Sequence, residues 1–230
     1  GRVNRICFNP GNDSIIYACT PFGGLWKSTN GGTSWSTNTD QLASIATSDL
    51  AINPLNTNIM YLATGDGDGW DQASIGILKS YDGGNTWDTT SLYWTLQISG
   101  PSYFMGTRVL INPDDTALVL AGMSNGLFIS SNSGATWTQT LNEDIKSIEF
   151  EPYHPSTVYV GTYDGRFYRS VDSGFSFVMD STDFPASGIG RVTVGVSPAD
   201  SNRVYVLTEN SSTSGFYGLY ISTDRGQTFT

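Results

Sequence analysis

One eight-residue pattern returns five times along this chain and constrains its fold more than any other feature. The copies are STNGGTSW (28–35), SYDGGNTW (80–87), SSNSGATW (130–137), SVDSGFSF (170–177) and STDRGQTF (222–229). Their template is Ser-x-Asp/Asn-x-Gly-x-Thr/Ser-Trp/Phe, called the box below. A second element leads each copy: a Pro at 10, 54, 113, 152 and 198, followed seven residues later by Tyr17, Tyr61, Leu120, Tyr159 and Tyr205. The box serines lie 52, 50, 40 and 52 residues apart. A period near 40 to 50 residues with several strand-like runs inside it is the signature of propeller blades.

Each unit reads as four antiparallel strands. Strand A ends at the Pro turn, B is the run typified by IIYACT, C leads into the box, and D leaves from the box aromatic. Pro suits the A–B turn because it fixes φ and gives up an amide that the ladder does not need there. In the box, the Asp or Asn side chain accepts turn amides, the Gly supplies a conformation costly for other residues, and the aromatic packs under the hairpin. Asn30 and Asn132 stand where Asp82, Asp172 and Asp224 stand, so the position needs an acceptor and not a proton donor or base. The expectation is an all-β propeller region over 1–230, with blades at about 1–40, 41–90, 105–141, 142–180 and 187–230, forming part of a larger ring.

Composition agrees. With 230 residues, 38% hydrophobic and 14% charged, the chain folds, burying roughly 70 to 75% of its unfolded surface. A net charge of −10 with 11 scattered Lys and Arg disfavours nucleic acid as a partner. No apolar run approaches the ~18 residues of a membrane span. Cys7 and Cys19 are too few for a disulfide framework or a zinc site. Their numbers centre an antiparallel pair on the turn at 11–13, which leaves a cross-strand disulfide or two buried free thiols open. The single His154 sits between two prolines and reads as structural, so His-dependent catalytic triads are poorly supplied.

The five boxes resemble the Asp-box, or BNR, repeats of β-propellers found in sialidases, xyloglucan-hydrolysing glycosidases, the Vps10 domain of sortilins and many secreted bacterial proteins. That resemblance implies a secreted or cell-surface location, but it spans hydrolases, receptors and assembly factors. In the xyloglucan-hydrolysing relatives an Asp directly follows the Thr that ends the first B strand. Here Thr20 is followed by Pro21, which is neither acid nor base. A sialidase would need an arginine cluster, for which Arg2, Arg108 and Arg191 are the candidates, but the phrase that opens sialidases is missing.

Function is expected on the face opposite the boxes, where the B–C and D–A connections emerge. Two long segments, 65–76 and 88–107, share one sector there. They place Asp66, Asp68, Trp70 and Asp71 near Tyr93, Trp94, Tyr103 and Phe104. Carboxylates beside aromatic faces suit a sugar, whose hydroxyls need acceptors and whose C–H faces stack on rings; the alternative is a hydrophobic plug. Asp66, Asp68 and Asp71 are also a candidate Ca²⁺ site, although the segment departs from an EF-hand, with Trp70 at the fifth position. The reading of the sequence is a non-catalytic recognition or scaffold module for a glycan or protein ligand, without catalytic residues and with further blades or domains beside it. The alternative is a xyloglucanase-like glycoside hydrolase or part of one.

Overall fold

The computed structural model describes residues 1–69, 71–95 and 104–230, and among them there is no α-helix. Among the described residues nineteen strands form five antiparallel sheets. The first contains β1 (Arg5–Asn9), β2 (Asn12–Thr20), β3 (Gly24–Ser28) and β4 (Ser36–Thr37). The second contains β5 (Thr47–Ile52), β6 (Met60–Thr64), β7 (Gly76–Ser80) and β8 (Asp88–Tyr93). The third contains β9 (Gly106–Ile111), β10 (Val119–Met123), β11 (Gly126–Ser130) and β12 (Thr138–Leu141). The fourth contains β13 (Ile145–Glu151), β14 (His154–Thr162), β15 (Phe167–Ser170) and β16 (Val178–Asp180). The fifth has β17 (Ile189–Val196), β18 (Val204–Asn210) and β19 (Phe216–Ser222). In every sheet the strands pair in chain order, which is the up-and-down blade of a β-propeller.

The box geometry explains its composition. The Asp82 Oδ1 accepts the amides of Asn85 and Thr86, both at 2.9 Å, while the Thr86 hydroxyl donates to Oδ2 at 2.7 Å. The Ser80 hydroxyl donates to Asp82 and accepts the Gly84 amide at 2.9 Å. Where Asn30 replaces Asp, Oδ1 still accepts the Ser34 amide at 2.9 Å, and Nδ2 donates to the Ser34 hydroxyl. The amide therefore serves as well as the carboxylate.

Four apolar clusters hold the blades together, one for each junction. Tyr17, Cys19 and Leu25 pack on Leu50, Met60, Leu62 and Leu78, with Trp87 alongside. The second and third blades share Tyr61, Ala63, Val109 and Ala121, with Trp137 against them. The third and fourth share Leu120, Ile129, Ile148 and Val160, with Phe177. The fourth and fifth share Tyr159, Phe167, Val194, Val206 and Phe229. The box aromatics Trp87, Trp137, Phe177 and Phe229 thus seal the seam toward the blade before their own, whereas Trp35 is exposed. The Pro-linked Tyr or Leu fills the same seam from the other side.

Close approach at these seams selects small residues. A Cβ added to Gly161 would lie 2.4 Å from the carbonyl oxygen of Val192, and one on Gly122 would lie 2.8 Å from Ile145. These glycines are required by the neighbouring A strand, not by a turn.

Of the two alternatives left open for the cysteines, the structure has the free thiols. In β1 and β2 the register pairs Cys7 with Tyr17 and Arg5 with Cys19, so the two cysteines are not opposite one another, and both are free thiols. The ladder from Arg5 and Cys19 to Phe8 and Ile16 is centred on residue 12, whereas a Cys7–Cys19 pair needs a centre at residue 13. Because strand neighbours are set by the turn that joins them, that difference in centre removes the cross-strand pair.

Candidate functional site

The site begins with threonines that end the B strands. The Thr64 hydroxyl donates to the Gly76 carbonyl at 2.7 Å and accepts the Ile75 amide at 2.9 Å, closing the long loop of the second blade at its base. Gly65 and Gly76, with φ of 97° and 93°, make the two bends. The loop then lies over the ends of the inner strands. Asp66 is fully buried and paired with Arg2, and Asp68 is paired with Arg191 of the fifth blade. The Gly67 amide donates to Ser48 at 3.1 Å, and its carbonyl accepts Lys146 Nζ of the fourth blade at 3.0 Å. One loop is thereby tied to the first, second, fourth and fifth blades.

Beneath it lies a polar cavity of about 300 Å³ bordered by Arg5, Asp68, Arg108, Lys146, Glu149 and Arg191. Asp49, nearly fully buried, accepts the Val109 amide at 3.0 Å and faces Arg108 at 3.2 Å and Arg5 at 3.4 Å. Arg108 also reaches Glu149 at 2.7 Å, and Lys146 reaches Asp144 at 3.1 Å. Burial pushes the Glu149 and Asp144 carboxyls up, against the pull of Arg108 and Lys146 respectively. For Asp68 burial acts upward too, but the hydrogen bond and charge of Arg191, with Arg2 beyond, bring its carboxyl below the usual range. Arg2, Arg5, Arg108, Lys146 and Arg191 face Asp66, Asp49, Glu149, Asp144 and Asp68. Arg2, Arg108 and Arg191 are therefore each committed to a carboxylate of the chain.

The aromatic half of the candidate site divides. Tyr93, at the end of β8, is 38% exposed. Trp94 is half-buried against the cluster between the second and third blades, donates from Nε1 to the Ser74 carbonyl at 2.9 Å, and meets Phe104 edge to face at 6.2 Å. Trp94 and Phe104 thus brace the loop base, while Tyr93 offers an open ring. Asp71 is exposed. Trp70 and Tyr103 lie outside the described residues. Among the described residues no group of three or more His, Cys, Asp or Glu side chains is arranged to hold a metal ion. Asp66 and Asp68, two of the three candidate calcium ligands, carry arginine partners here, which fasten the loop.

Sequence reasoning missed Lys146, Asp49 and Glu149, which belong to no repeat motif. It also missed a second concavity of about 340 Å³, where Phe216, 73% exposed, stands opposite Glu209 beside Arg191. The available signal was the recurrence of charged residues at the starts of A strands. Which partner each would meet depends on the ring and not on local spacing.

Comparison with known proteins points in one direction. The family model for sortilin, neurotensin receptor 3 (Sortilin-Vps10) matches residues 125–230. A xyloglucanase of Paenibacillus sp is 28% identical over 95% of this chain, which covers 26% of that protein. A xyloglucanase of Hypocrea jecorina is 29% identical over 93% of this chain and 26% of its own length. Among solved structures, an ancestral GH74 enzyme superposes with a TM-score of 0.75 at 18% identity, covering 96% of this chain and 29% of the enzyme. The chain thus spans about a quarter of the length of the curated relatives it matches. These matches support a propeller superfamily for the fold, and the named sequence relatives are glycoside hydrolases.

Proposed function

We propose that this chain is a substrate-holding propeller region of a glycoside hydrolase that acts on a xyloglucan-class β-glucan. The observation that carries the reading is similarity along almost the whole chain to xyloglucanases, at 28% and 29% identity. It favours the hydrolase over the non-catalytic recognition module expected from the sequence. The polymer would lie across the face of the 65–76 loop, stacking on the exposed Tyr93 ring, with Asp68 and Asp71 at its edge. A glycosidase needs two carboxyl groups flanking the scissile bond. Pro21 occupies the position where the resemblance puts one of them, so this chain's proposed share of the work is binding and orientation. A polysaccharide of this kind meets the protein outside the cell, which makes an extracellular location part of the same reading.

The test has two arms. Affinity electrophoresis of the chain in gels containing xyloglucan, mixed-linkage glucan or xylan should retard it in xyloglucan. Reducing-end release from xyloglucan by the longest natural protein carrying this chain tests the hydrolase. Absence of both retardation and release would overturn the proposal.

A further inference from the structure

Because the blades repeat, what the fold requires at a position can be read from its counterparts. In four blades the residue after strand B donates its amide to the carbonyl of the residue before strand A: Gly65 to Ala46, Ser124 to Met105, Tyr163 to Asp144 and Ser211 to Gly188, at 2.9 to 3.0 Å. Main-chain atoms make this bond, so it places no demand on either side chain. Gly with Ala, Ser with Met and Ser with Gly serve equally well. Of these four blades, the fourth alone sets an aromatic ring and a carboxyl at the pair.

Neither group belongs to the four apolar clusters. The Tyr163 ring is 51% exposed, and Asp164 beside it is exposed too. Lys146 Nζ lies over the ring, 5.3 Å from its centre, and is itself held by the Asp144 carboxylate at 3.1 Å and the Gly67 carbonyl at 3.0 Å. The turn is closely fitted: Gly165 has a φ of 79°, and a Cβ there would stand 2.7 Å from the Ile189 carbonyl oxygen. Burial, with the charge of Asp164 behind it, raises the Asp144 carboxyl against the pull of Lys146. The fold thus carries a half-buried acid at a cost that its counterparts avoid.

The surroundings identify the ligand class. An open ring face stacks on the C–H face of a pyranose, and carboxylates beside it accept hydroxyls. Tyr93 pairs with Gly76 at one end of the 65–76 loop, and Lys146 ties Tyr163 to Gly67 near the other. The two exposed rings therefore bracket the loop across which the polymer is proposed to lie. We propose that Tyr163, Asp144 and Asp164 form a second sugar subsite, on the fourth blade, which holds another residue of the same glucan chain that stacks on Tyr93. This subsite rests on the glycan-binding reading above and adds a direction to it: the polymer crosses the face from the second blade to the fourth. Two carboxylates beside the ring disfavour an anionic ligand, so a neutral polysaccharide is the class that the subsite takes.

The test is affinity electrophoresis in xyloglucan gels with Tyr163→Ser, which installs the residue that the third and fifth blades carry. Retardation should weaken about three- to tenfold, the loss of one aromatic contact. Tm should move by no more than about 2 °C, since the main-chain bond to Asp144 remains. Asp164→Ala, which removes an exposed acceptor, should weaken retardation as well without moving Tm. The double variant Tyr93→Ala/Tyr163→Ser should lose more than either single one. Retardation that both Tyr163→Ser and Asp164→Ala leave intact would overturn the subsite and spare the reading it rests on. A natural chain that xyloglucan does not retard would overturn both. A Tm loss of more than about 6 °C in Tyr163→Ser would assign the ring to the fold and overturn the subsite as well.

Discussion

Tyr159 of the fourth blade donates its hydroxyl to the main-chain carbonyl of Arg225 in the fifth, 66 residues away, at 3.0 Å. The ring rests on Gly226, whose φ of 70° and 2.9 Å clearance to Cε1 leave no room for a side chain. Burial pushes the Tyr159 hydroxyl well above the ordinary tyrosine range, so it stays a donor throughout the accessible pH range.

Tyr159→Ala should therefore cost about 3 to 5 kcal/mol through the cavity it leaves. Tyr159→Phe should cost about 1 kcal/mol, the net value of one hydrogen bond. Tyr205 holds the same repeat position in the fifth blade but is only half-buried, and Tyr205→Ala should cost less than about 1 kcal/mol. Urea unfolding curves of the three variants check the order.

The box carboxylates set an acid limit. Hydrogen bonds from the Thr86 amide and hydroxyl hold the Asp82 carboxyl down at about 2, and Thr228 does the same for Asp224, also about 2. Both folded values lie below the ordinary 3.8. The stability they contribute is thus fully present above about pH 4 and is lost as pH falls through about 2. Asp82→Asn should leave Tm near neutral pH almost unchanged, since Asn30 and Asn132 already do this job, and should weaken its acid dependence. Asp82→Ala should lower Tm at every pH. Equal damage from Asn and Ala would show that the charge itself is needed.

Asp49 should be the most sensitive acid of the inner ring. Asp49→Ala leaves the Val109 amide without its acceptor and the buried Arg108 with Glu149 as its remaining acid, at a cost of about 2 to 4 kcal/mol. Arg191→Ala removes a partly exposed pair with Asp68 and should cost less than about 1 kcal/mol, falling further in high salt. Its clearer effect should be faster hydrogen exchange in residues 65–69, read by mass spectrometry.

Glycan binding should separate two neighbouring aromatics. Tyr93→Ala should weaken retardation in xyloglucan gels three- to tenfold, at about the energy of one aromatic contact, with Tm unchanged. Trp94→Ala should lower Tm as well, because its indole is bound to Ser74 and packed on the core. Unchanged binding in Tyr93→Ala would move the site toward Phe216 and Glu209.

The two thiols should be inert while the chain is folded. Burial raises Cys7 to about 11 and Cys19 well above the ordinary thiol value, so neither forms appreciable thiolate at pH 8. A thiol reagent should label both only in denaturant, and reductant should leave Tm unchanged.

The sequence by itself determined what is local and repeated. The Pro turn, the threonine that closes the B strand and the Ser-Asp-Gly hydrogen bonds of the box all lie within a few residues, so spacing was enough to read them as four-stranded blades. It also placed Trp94 and Phe104 in one sector, where the rings now meet at 6.2 Å. Only the tertiary structure decided what crosses between blades. Asp68 and Arg191 are 123 residues apart and meet because the inner strands converge on a common axis. Asp66 and Asp68 read locally as an acidic loop open to calcium or sugar. The same convergence brings Arg2, Lys146 and Arg191 against that loop and turns the acids into its fastenings. The cysteines sit apart for a related reason: the centre of their hairpin ladder, at residue 12, sets every partner along it, and composition carries no record of that centre.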